Sequence, residues 1–585
     1  MWKRAARTGR MMGGMIAAAV LVAACKSRNE AGGEVSRNWR PASSDQVMGV
    51  PAAQVKSALE SRLAGKAPAP LSDDAWHHVK HLYATFQDQL LWLDDKGVHQ
   101  PRVSALLIAL AGADSDAIAL GNYPLSELAQ VLNAVDGKHP TAEQLAEADI
   151  LLSSAFATYG ENMLTGQMQP TQYGQNWHIN PLEEHVDSAL VLTMRDDDFA
   201  AGLLRMRPQD PGYDSLRVAF ARFRTVVAHG GWPSVPDGRA LKRGDSDSPA
   251  RLQALRARLA AEGFLADTTA APQPATDSST SRAAPRASRT GPNVYDGQLA
   301  AAVADFQAHH GIVVDSMLGT ETVTAMNVPA NYRLAEIAAN LERYRWMPRS
   351  LGSRYIIVNV PQFHLDAYDS GQKALEMKVV VGQDYEDKAT PVFSDSMEFV
   401  VFRPYWNVTP DIAAKEIFPK AAEDPDYLQR NNMEVYSDHG QQAVRQLPGP
   451  KNSLGLVKFM FPNDFNIYLH DTPDDQLFKK DVRAFSHGCI RLEKPAELAT
   501  WVLGWPMDKV QDAMHNGPNN HQVNLPQKIP VYIVYFTTYV TDGQLYFGND
   551  LYERDATMVQ ALENVAMPSP QTVQAQQALL QLAKG

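Results

Sequence analysis

Tyr468-Leu469-His470-Asp471-Thr472-Pro473 and, from fourteen positions after His470, Ala484-Phe485-Ser486-His487-Gly488-Cys489-Ile490-Arg491-Leu492 hold the densest chemistry in the chain. Asn466-Ile467-Tyr468-Leu469 reads as a strand with His470 at its end. Cysteine is a strong nucleophile once ionised, and ionisation near neutral pH needs an adjacent base or cation. His470 and His487 are the histidines close to Cys489 in sequence. On an extended chain His487 and Cys489 share a face, while His470 can enter the same place from a neighbouring strand. Spacing alone does not choose between them. Gly488 gives the backbone the freedom to approach a carbonyl and present N–H groups, as an oxyanion hole requires.

Strand patterns surround this pair of runs. Tyr355–Val360, Phe363–Tyr368, Met377–Gly382, Glu398–Phe402 and Val531–Phe536 are rich in β-branched and aromatic residues, with Gly, Pro and Asp between them. They predict a β-rich domain over 352–540. From Ile412 to Leu447 the pattern lapses and Ala413-Ala414-Lys415-Glu416-Ile417 looks helical, so a helical lid insertion is expected at about 411–450. A helical tail is expected over 541–585.

Upstream the period is helical. Trp76, Val79, Leu82, Tyr83 and Phe86 recur on one face, and Thr141 is placed to cap a helix three residues before Gln144. The expected order is a tether over 25–70, a helical scaffold over 71–265, an Ala/Pro/Ser/Thr-rich linker over 266–294, a small helical module over 295–330 and a connecting helix over 331–351. The fold class is therefore α+β and multi-domain. Its length of 585 residues fits several domains. His309-His310 are adjacent, so they point apart on a helix and read as surface or groove residues.

Residues 1–24 read as a signal peptide. Lys3, Arg4, Arg7 and Arg10 precede an apolar run that ends Leu21-Val22-Ala23-Ala24-Cys25. Small residues before Cys25 resemble a bacterial lipobox, in which the cysteine is acylated after cleavage. A plain secretory leader is the alternative. Lys26 after that cysteine implies, by resemblance to Gram-negative sorting, delivery to the outer membrane. The expected location is the periplasm, with a lipid anchor holding the chain to a membrane. A formal charge of −12 and no strong basic patch argue against nucleic acid as a partner. With Cys25 acylated, Cys489 is the one remaining thiol, which invites a functional explanation in an oxidising compartment.

Two other chemistries fit fragments of the pattern. Zinc held by His470, His487 and Cys489 lacks the tight Cys-x-x-Cys pairs of structural sites. A Ser486/His487/Asp471 hydrolase lacks the Gly-x-Ser-x-Gly elbow.

The Ser486-His487-Gly488-Cys489-Ile490-Arg491 run with a histidine nineteen positions upstream resembles the YkuD-type L,D-transpeptidase domain. Asn340-Leu341-Glu342-Arg343-Tyr344-Arg345-Trp346-Met347-Pro348 resembles the lead-in of the large YcbB-type members. Gln307–Asp315 with Leu318-Gly319-Thr320-Glu321-Thr322 resembles a three-helix peptidoglycan-binding domain. The resemblance implies Cys489 as nucleophile, His470 as base oriented by the Asp471 carbonyl, and amides around Gly488 and Cys489 as the oxyanion hole. It implies Ser486 and Arg491 as positioning groups and Tyr405, Trp406 and Asn407 as lining of a donor groove. His487 and Asp471 are expected beside the substrate. The implied partners are peptidoglycan stem peptides and glycan strands, and the reaction needs no cofactor or metal. The implied product is a cross-link between third-position stem residues, formed through a cysteine thioester with release of D-Ala. Carbapenems are expected to acylate Cys489. A protein or water acceptor, or a non-catalytic wall-tethering lipoprotein, remains an alternative.

Overall fold

A computed structural model describes residues 45–266 and 293–584, apart from 96, 138, 180–185, 385–387, 564 and 566. The leader, Cys25, the first part of the tether and residues 267–292 of the linker lie outside the described residues. Among the described residues no helix is long and apolar enough to cross a membrane.

The helical domain begins earlier than its sequence suggests. A short hairpin, β1 (Gln46–Val47) and β2 (Val50–Pro51), leads into α1 (Ala52–Leu63). Val47, Val55 and Leu59 are buried, so residues 45–63, expected as tether, are part of the fold. Three apolar side chains in a polar stretch are enough to seat one helix face. Next come α2 (Asp73–Thr85), β3 (Leu93–Asp94), β4 (Gly97–Val98), α3 (Gln100–Gly112) and α4 (Leu125–Val135). Then α5 (Ala142–Thr165) runs through the middle, buried at nearly every position. Thr141 caps it in a reciprocal capping box with Gln144. β5 (Trp177–His178), α6 (Val186–Met194), α7 (Phe199–Met206) and α8 (Pro211–Ala228) follow.

α9 (Pro249–Glu262) belongs elsewhere. Its Leu252, Leu255 and Leu259 share a core with Leu299, Val303 and Phe306 of α10 (Gly297–His309) and Val323 and Met326 of α11 (Thr320–Met326). The helical scaffold thus ends before α9, and the linker lies between two helices of one module. Proximity in sequence had assigned α9 to its upstream neighbours. His310 is buried rather than superficial: it stacks on Phe306 at 3.8 Å and on Phe547 at 5.4 Å.

α12 (Ala330–Arg345) is the keystone. Glu342 accepts from the Met168 amide at 2.8 Å and from Arg345 at 2.5 Å, and Arg345 donates to Asp116 O and to Tyr213. Arg343 pairs with Asp555 at 2.6 Å and donates to Thr537. These charges are fully buried, and each has an opposite charge or hydrogen-bond partner, the condition under which burial is tolerated. One helix thereby ties the scaffold, the β domain and the C-terminal region together.

The β domain contains β6 (Arg354–Asn359), β7 (His364–Asp369), β8 (Gln372–Gly382), β9 (Val392–Phe402), β10 (Trp406–Asn407), β11 (Met433–Asp438), β12 (Gln441–Gln446), β13 (Val457–Met460), β14 (Leu469–His470), β15 (Ala484–Ser486), β16 (Ile490–Leu492) and β17 (His521–Val534). The main sheet runs β13-β14-β16-β8-β7-β6-β17-β9, and β13 also pairs with β9, so the path closes on itself. Closure removes free edges. Ile356, Val358, Val379, Val381, Val400, Val457, Ile490 and Ile533 fill the interior. The scaffold's β5 adds parallel to β9, Trp177 opposite Val392 and His178 opposite Phe393.

The insertion is helical only in its first half: α13 (Pro410–Ile412), a π-helical turn (Ala413–Ile417), α14 (Phe418–Glu423) and α15 (Tyr427–Arg430). Its second half is the hairpin β11–β12, which β10, just ahead of the insertion, extends into a sheet in the order β10-β12-β11. The β11–β12 turn, His439-Gly440, has φ of +49° and +84°, the two positive values of a tight primed turn. His-Gly is a weaker sequence signal than Asn-Gly, which hid the hairpin.

α16 (Pro495–Leu503) and α17 (Met507–His515) precede β17. The tail opens on a hairpin, β18 (Thr538–Thr541) and β19 (Gln544–Phe547), turned by Asp542-Gly543, so it is not helical from 541. α18 (Ala556–Leu562) packs on α12, and α19 (Pro570–Leu582) returns to α3 and α4 with Leu579 in the scaffold core.

Candidate active site

Register assembles the site. Lys458 of β13 lies opposite His470 of β14, and His470 lies opposite Arg491 of β16. Val457, Phe459, Leu469, Ile490 and Leu492 point into the core, so the period of two sends Lys458, His470 and Arg491 to the other face in one row. Tyr468 and Cys489, two positions from His470 and Arg491, join that row. The 19-residue separation of His470 and Cys489 becomes two adjacent strands. His487 is not in the row: its Nε2 lies 2.6 Å from Glu416 Oε1 in the insertion.

His470 Nδ1 donates to the Asp471 carbonyl at 2.5 Å. That bond leaves Nε2 as the basic nitrogen of the neutral ring. Burial, then Arg491 and Lys458 on either side, push the His470 pKa down to about 3, against the opposing pull of the Asp471 carbonyl. The ring is neutral at physiological pH.

The Cys489 thiol donates to the Asn466 carbonyl at 3.6 Å, and Tyr468 donates to the sulfur from its amide and its hydroxyl. Cys489 is partly exposed, yet packed polar and apolar groups strip water from most of the sulfur. This desolvation pushes the thiol up to about 11, even though Tyr468, Lys458 and Arg491 favour the thiolate. These shifts leave both the thiol and the imidazole uncharged near neutral pH. Arg491 is half-buried, and its Nε finds no hydrogen-bond partner among the described residues.

The Cys489 loop is held from several sides. Ser486 Oγ donates to the Cys489 carbonyl at 2.5 Å and accepts from the Gly488 amide at 3.1 Å. The Gly488 amide, expected to face an oxyanion, is therefore engaged. Gly488 has φ of +109°, a region closed to most side chains. Its carbonyl accepts from Thr390 Oγ1 at 2.8 Å, and Thr390 accepts from the Gly382 amide at 2.9 Å. Tyr552 of the tail donates to the Gly382 carbonyl at 2.8 Å. A Cβ on Gly382 would meet the Lys388 carbonyl at 2.0 Å and the Gly488 Cα at 3.1 Å, so this contact requires glycine.

Asp471 spends its carboxylate on backbone: Oδ2 accepts from the Leu456 amide and Oδ1 from the Thr472 amide, both at 2.7 Å. Tyr405 lies under Arg445 at 4.6 Å, and Trp406 and Asn407 pair with Gln446 and Arg445 in the insertion's own sheet. These three sit at the base of the insertion rather than in the cysteine row. From the scaffold, His178 packs on Phe465 at 4.8 Å, next to Asn466 whose carbonyl meets the thiol. Tyr468, Lys458, Asn466, Thr390 and Glu416 were assigned no part from sequence. Tyr468 carried one signal, its two-residue offset from His470. The others are joined only by the fold.

The site thus brings together a free cysteine, a histidine oriented by a backbone carbonyl and a loop that requires glycine. Residues 353–533 match the YkuD family, the L,D-transpeptidase catalytic domain. Residues 77–220 match the scaffold domain, and residues 248–326 match the peptidoglycan binding domain, whose span includes α9. The chain thus contains a YkuD catalytic domain beside a peptidoglycan-binding domain. A relative named "Putative L,D-transpeptidase" from Haemophilus influenzae is 30% identical over 240 residues, covering 38% of this chain and 48% of the relative. The match spans about half the length of that relative. Two solved structures share 15% identity: an L,D-transpeptidase (residues 123–326) from Xylanimonas cellulosilytica, TM-score 0.16, and an Ldtfm–avibactam carbamoyl enzyme, TM-score 0.14. The first covers 51% of this chain and 99% of its own, the second 32% and 51%, and likeness at this level carries no weight for the fold or the chemistry.

Proposed function

We propose that the chain is an L,D-transpeptidase that joins third-position residues of two peptidoglycan stems. The observation that carries this reading is the row Lys458–His470–Arg491 with Cys489 and Tyr468 beside it, within a YkuD domain. Cys489 Sγ attacks the carbonyl between the third residue and the terminal D-Ala, and the thiol proton passes to His470 Nε2. The resulting oxyanion is received by the Cys489 amide and by the Tyr468 hydroxyl, which turns to it from the sulfur as the C–S bond forms. Gly488 contributes its backbone geometry, since its own amide is held by Ser486. The C–N bond breaks, His470 returns the proton to the leaving amine, and a thioester remains on Cys489. A side-chain amine of a second stem gives a proton to His470 and attacks the thioester, regenerating the thiol and leaving the cross-link.

His470, not His487, is the base in this reading, because His470 shares the strand face with Cys489 and His487 is turned to Glu416. The insertion favours amine over water by covering the thioester. The test is incubation with disaccharide-tetrapeptide. Free D-Ala and cross-linked dimer are expected, and neither with Cys489→Ala. Tripeptide without dimer would instead support water as acceptor.

The leader and Cys25 support export and a lipid anchor in a Gram-negative envelope. Metabolic palmitate labelling that is lost in Cys25→Ser tests this, and unlabelled full-length protein would contradict it.

A further inference from the structure

A second cleft, of about 880 Å³, lies between the scaffold and the outer face of β6 and β7. Its size suits a small-molecule or oligomer site. None of the residues around Cys489 lines it. Tyr355, Tyr368, Tyr344, Phe536 and Tyr539 supply rings, and Asp210, Asp366 and Gln362 supply polar groups. The cause is strand alternation: Ile356 and Val358 face the core, which leaves Tyr355 and Ile357 outward, joined by Tyr368 of β7.

Three features specify what fits. First, Tyr344, Tyr355 and Tyr368 are half-buried, and their phenol oxygens make no hydrogen bond to protein among the described residues, which leaves them for a ligand. Second, the cleft offers an anion little. Lys373 is held between Asp366 at 3.1 Å and Glu376 at 3.0 Å, and Arg349 donates to the Met163 carbonyl. Third, a ladder of rings leads from the cleft wall to the peptidoglycan-binding module. Tyr539, in that wall, stacks on Tyr546 at 5.5 Å, and Tyr546 stacks on His309 of α10 at 4.3 Å. Ring pairs for C–H contacts, Tyr355 on Tyr368 at 4.9 Å and Tyr344 on Phe536 at 4.3 Å, with phenols that the protein leaves unbonded for hydroxyl and acetamido groups, are the chemistry of a neutral saccharide.

We propose that the cleft between Tyr355, Tyr368 and Tyr539 is a second saccharide site, holding a neutral N-acetylated glycan strand that runs on from the peptidoglycan-binding module. This rests on the wall-directed reading above. A strand bound along module and cleft is fixed relative to the catalytic domain, because α12 and the β18–β19 hairpin join all three. The cleft thereby sets which stems reach Cys489 without touching the chemistry.

The experiment uses the full chain and a diazirine-tagged β-1,4-linked tetramer of N-acetylglucosamine. After irradiation, labelled peptides are mapped. Label on 354–376 or 538–547 is expected, falling at least tenfold in Tyr355→Ala/Tyr368→Ala. Tyr355→Phe/Tyr368→Phe keeps the rings and removes only the hydroxyls, so it separates loss of binding from loss of fold, and severalfold weaker labelling is expected. Dimer formation from soluble disaccharide-tetrapeptide is followed in parallel and should be unchanged in both variants. Label confined to 249–326, or cleft label unchanged in both variants, would overturn the proposal while leaving the reaction intact. Competition by sugar-free tetrapeptide better than by untagged tetramer would overturn it in favour of a peptide groove. Cleft labelling without any dimer would sink the reaction reading instead.

Discussion

Glu416 Oε1 lies 2.6 Å from His487 Nε2, and the same oxygen lies 3.3 Å from Lys388 Nζ. Residues 71 positions apart are thereby joined, the insertion to the loop that carries Cys489. Glu416 sits in a π-helical turn, a local irregularity often found at functional positions. The His487 bond, then Lys388, hold its carboxylate below the usual range. The pair ties the insertion to the residue two positions before Cys489, and we propose that it acts as a latch.

Glu416→Gln keeps the shape and removes the charge. It should raise tripeptide relative to dimer severalfold, because a looser insertion admits water to the thioester. His487→Ala should do the same, and the double variant should be no worse than either single, as for one shared contact. Independent, multiplying losses in product ratio would show that the two residues do not act as a latch.

The neutral resting pair gives a distinctive pH signature. With the thiol pushed up to about 11, alkylation of Cys489 by iodoacetamide without substrate should keep rising above pH 9. A plateau beginning near pH 5 would indicate a thiolate–imidazolium pair instead. Stability follows the same shifts. His470 has its pKa depressed to about 3, below the unfolded value of about 6.5. The unfolded chain therefore binds the extra proton between these values, and the group's contribution is lost as pH falls from about 6.5 toward 3. For Cys489 the folded value is the higher one, so its contribution is lost as pH rises past the unfolded value of about 8.5. Chemical denaturation midpoints across pH check both limbs.

Tyr468→Phe removes one donor to the sulfur and to the proposed oxyanion while keeping the ring. Removal of such a donor typically costs about 10²–10³ in rate. We expect acylation to slow by roughly tenfold or more, with unfolding midpoints nearly unchanged. Wild-type acylation rates in Tyr468→Phe would remove Tyr468 from the mechanism.

Gly382→Ala tests the packing behind the loop. The added Cβ has no room against the Lys388 carbonyl, and forced overpacking costs about 1–3 kcal/mol. Loss of stability and of Cys489 acylation together is expected, while Gly371→Ala, at a turn with open space around it, should leave acylation intact. Unaltered melting of Gly382→Ala would mean that the loop is not braced there.

Much of this was legible in the chain because it is local. Cys489, Gly488 and Ser486 occupy one run, and Thr141 announces α5 with its own cap. Spacing alone left His470 and His487 open and the resemblance implied His470; strand register and Glu416 are what separate the two in space. Lys458 enters through a strand pairing, and His178 through a scaffold strand that pairs with the start of β9 beyond the reach of β13. α9 was misplaced because its three leucines show that a face is buried but not against what. The β11–β12 hairpin was missed because His439-Gly440 is an unusual occupant of its turn.

The most direct test of the central claim is the intact mass of the protein after brief exposure to disaccharide-tetrapeptide. The account predicts a mass gain equal to the donor minus D-Ala, located on the peptide containing Cys489, sharply reduced in His470→Ala and retained in His487→Ala. An adduct that survives His470→Ala but is lost in His487→Ala, or one found on a peptide without Cys489, would contradict it.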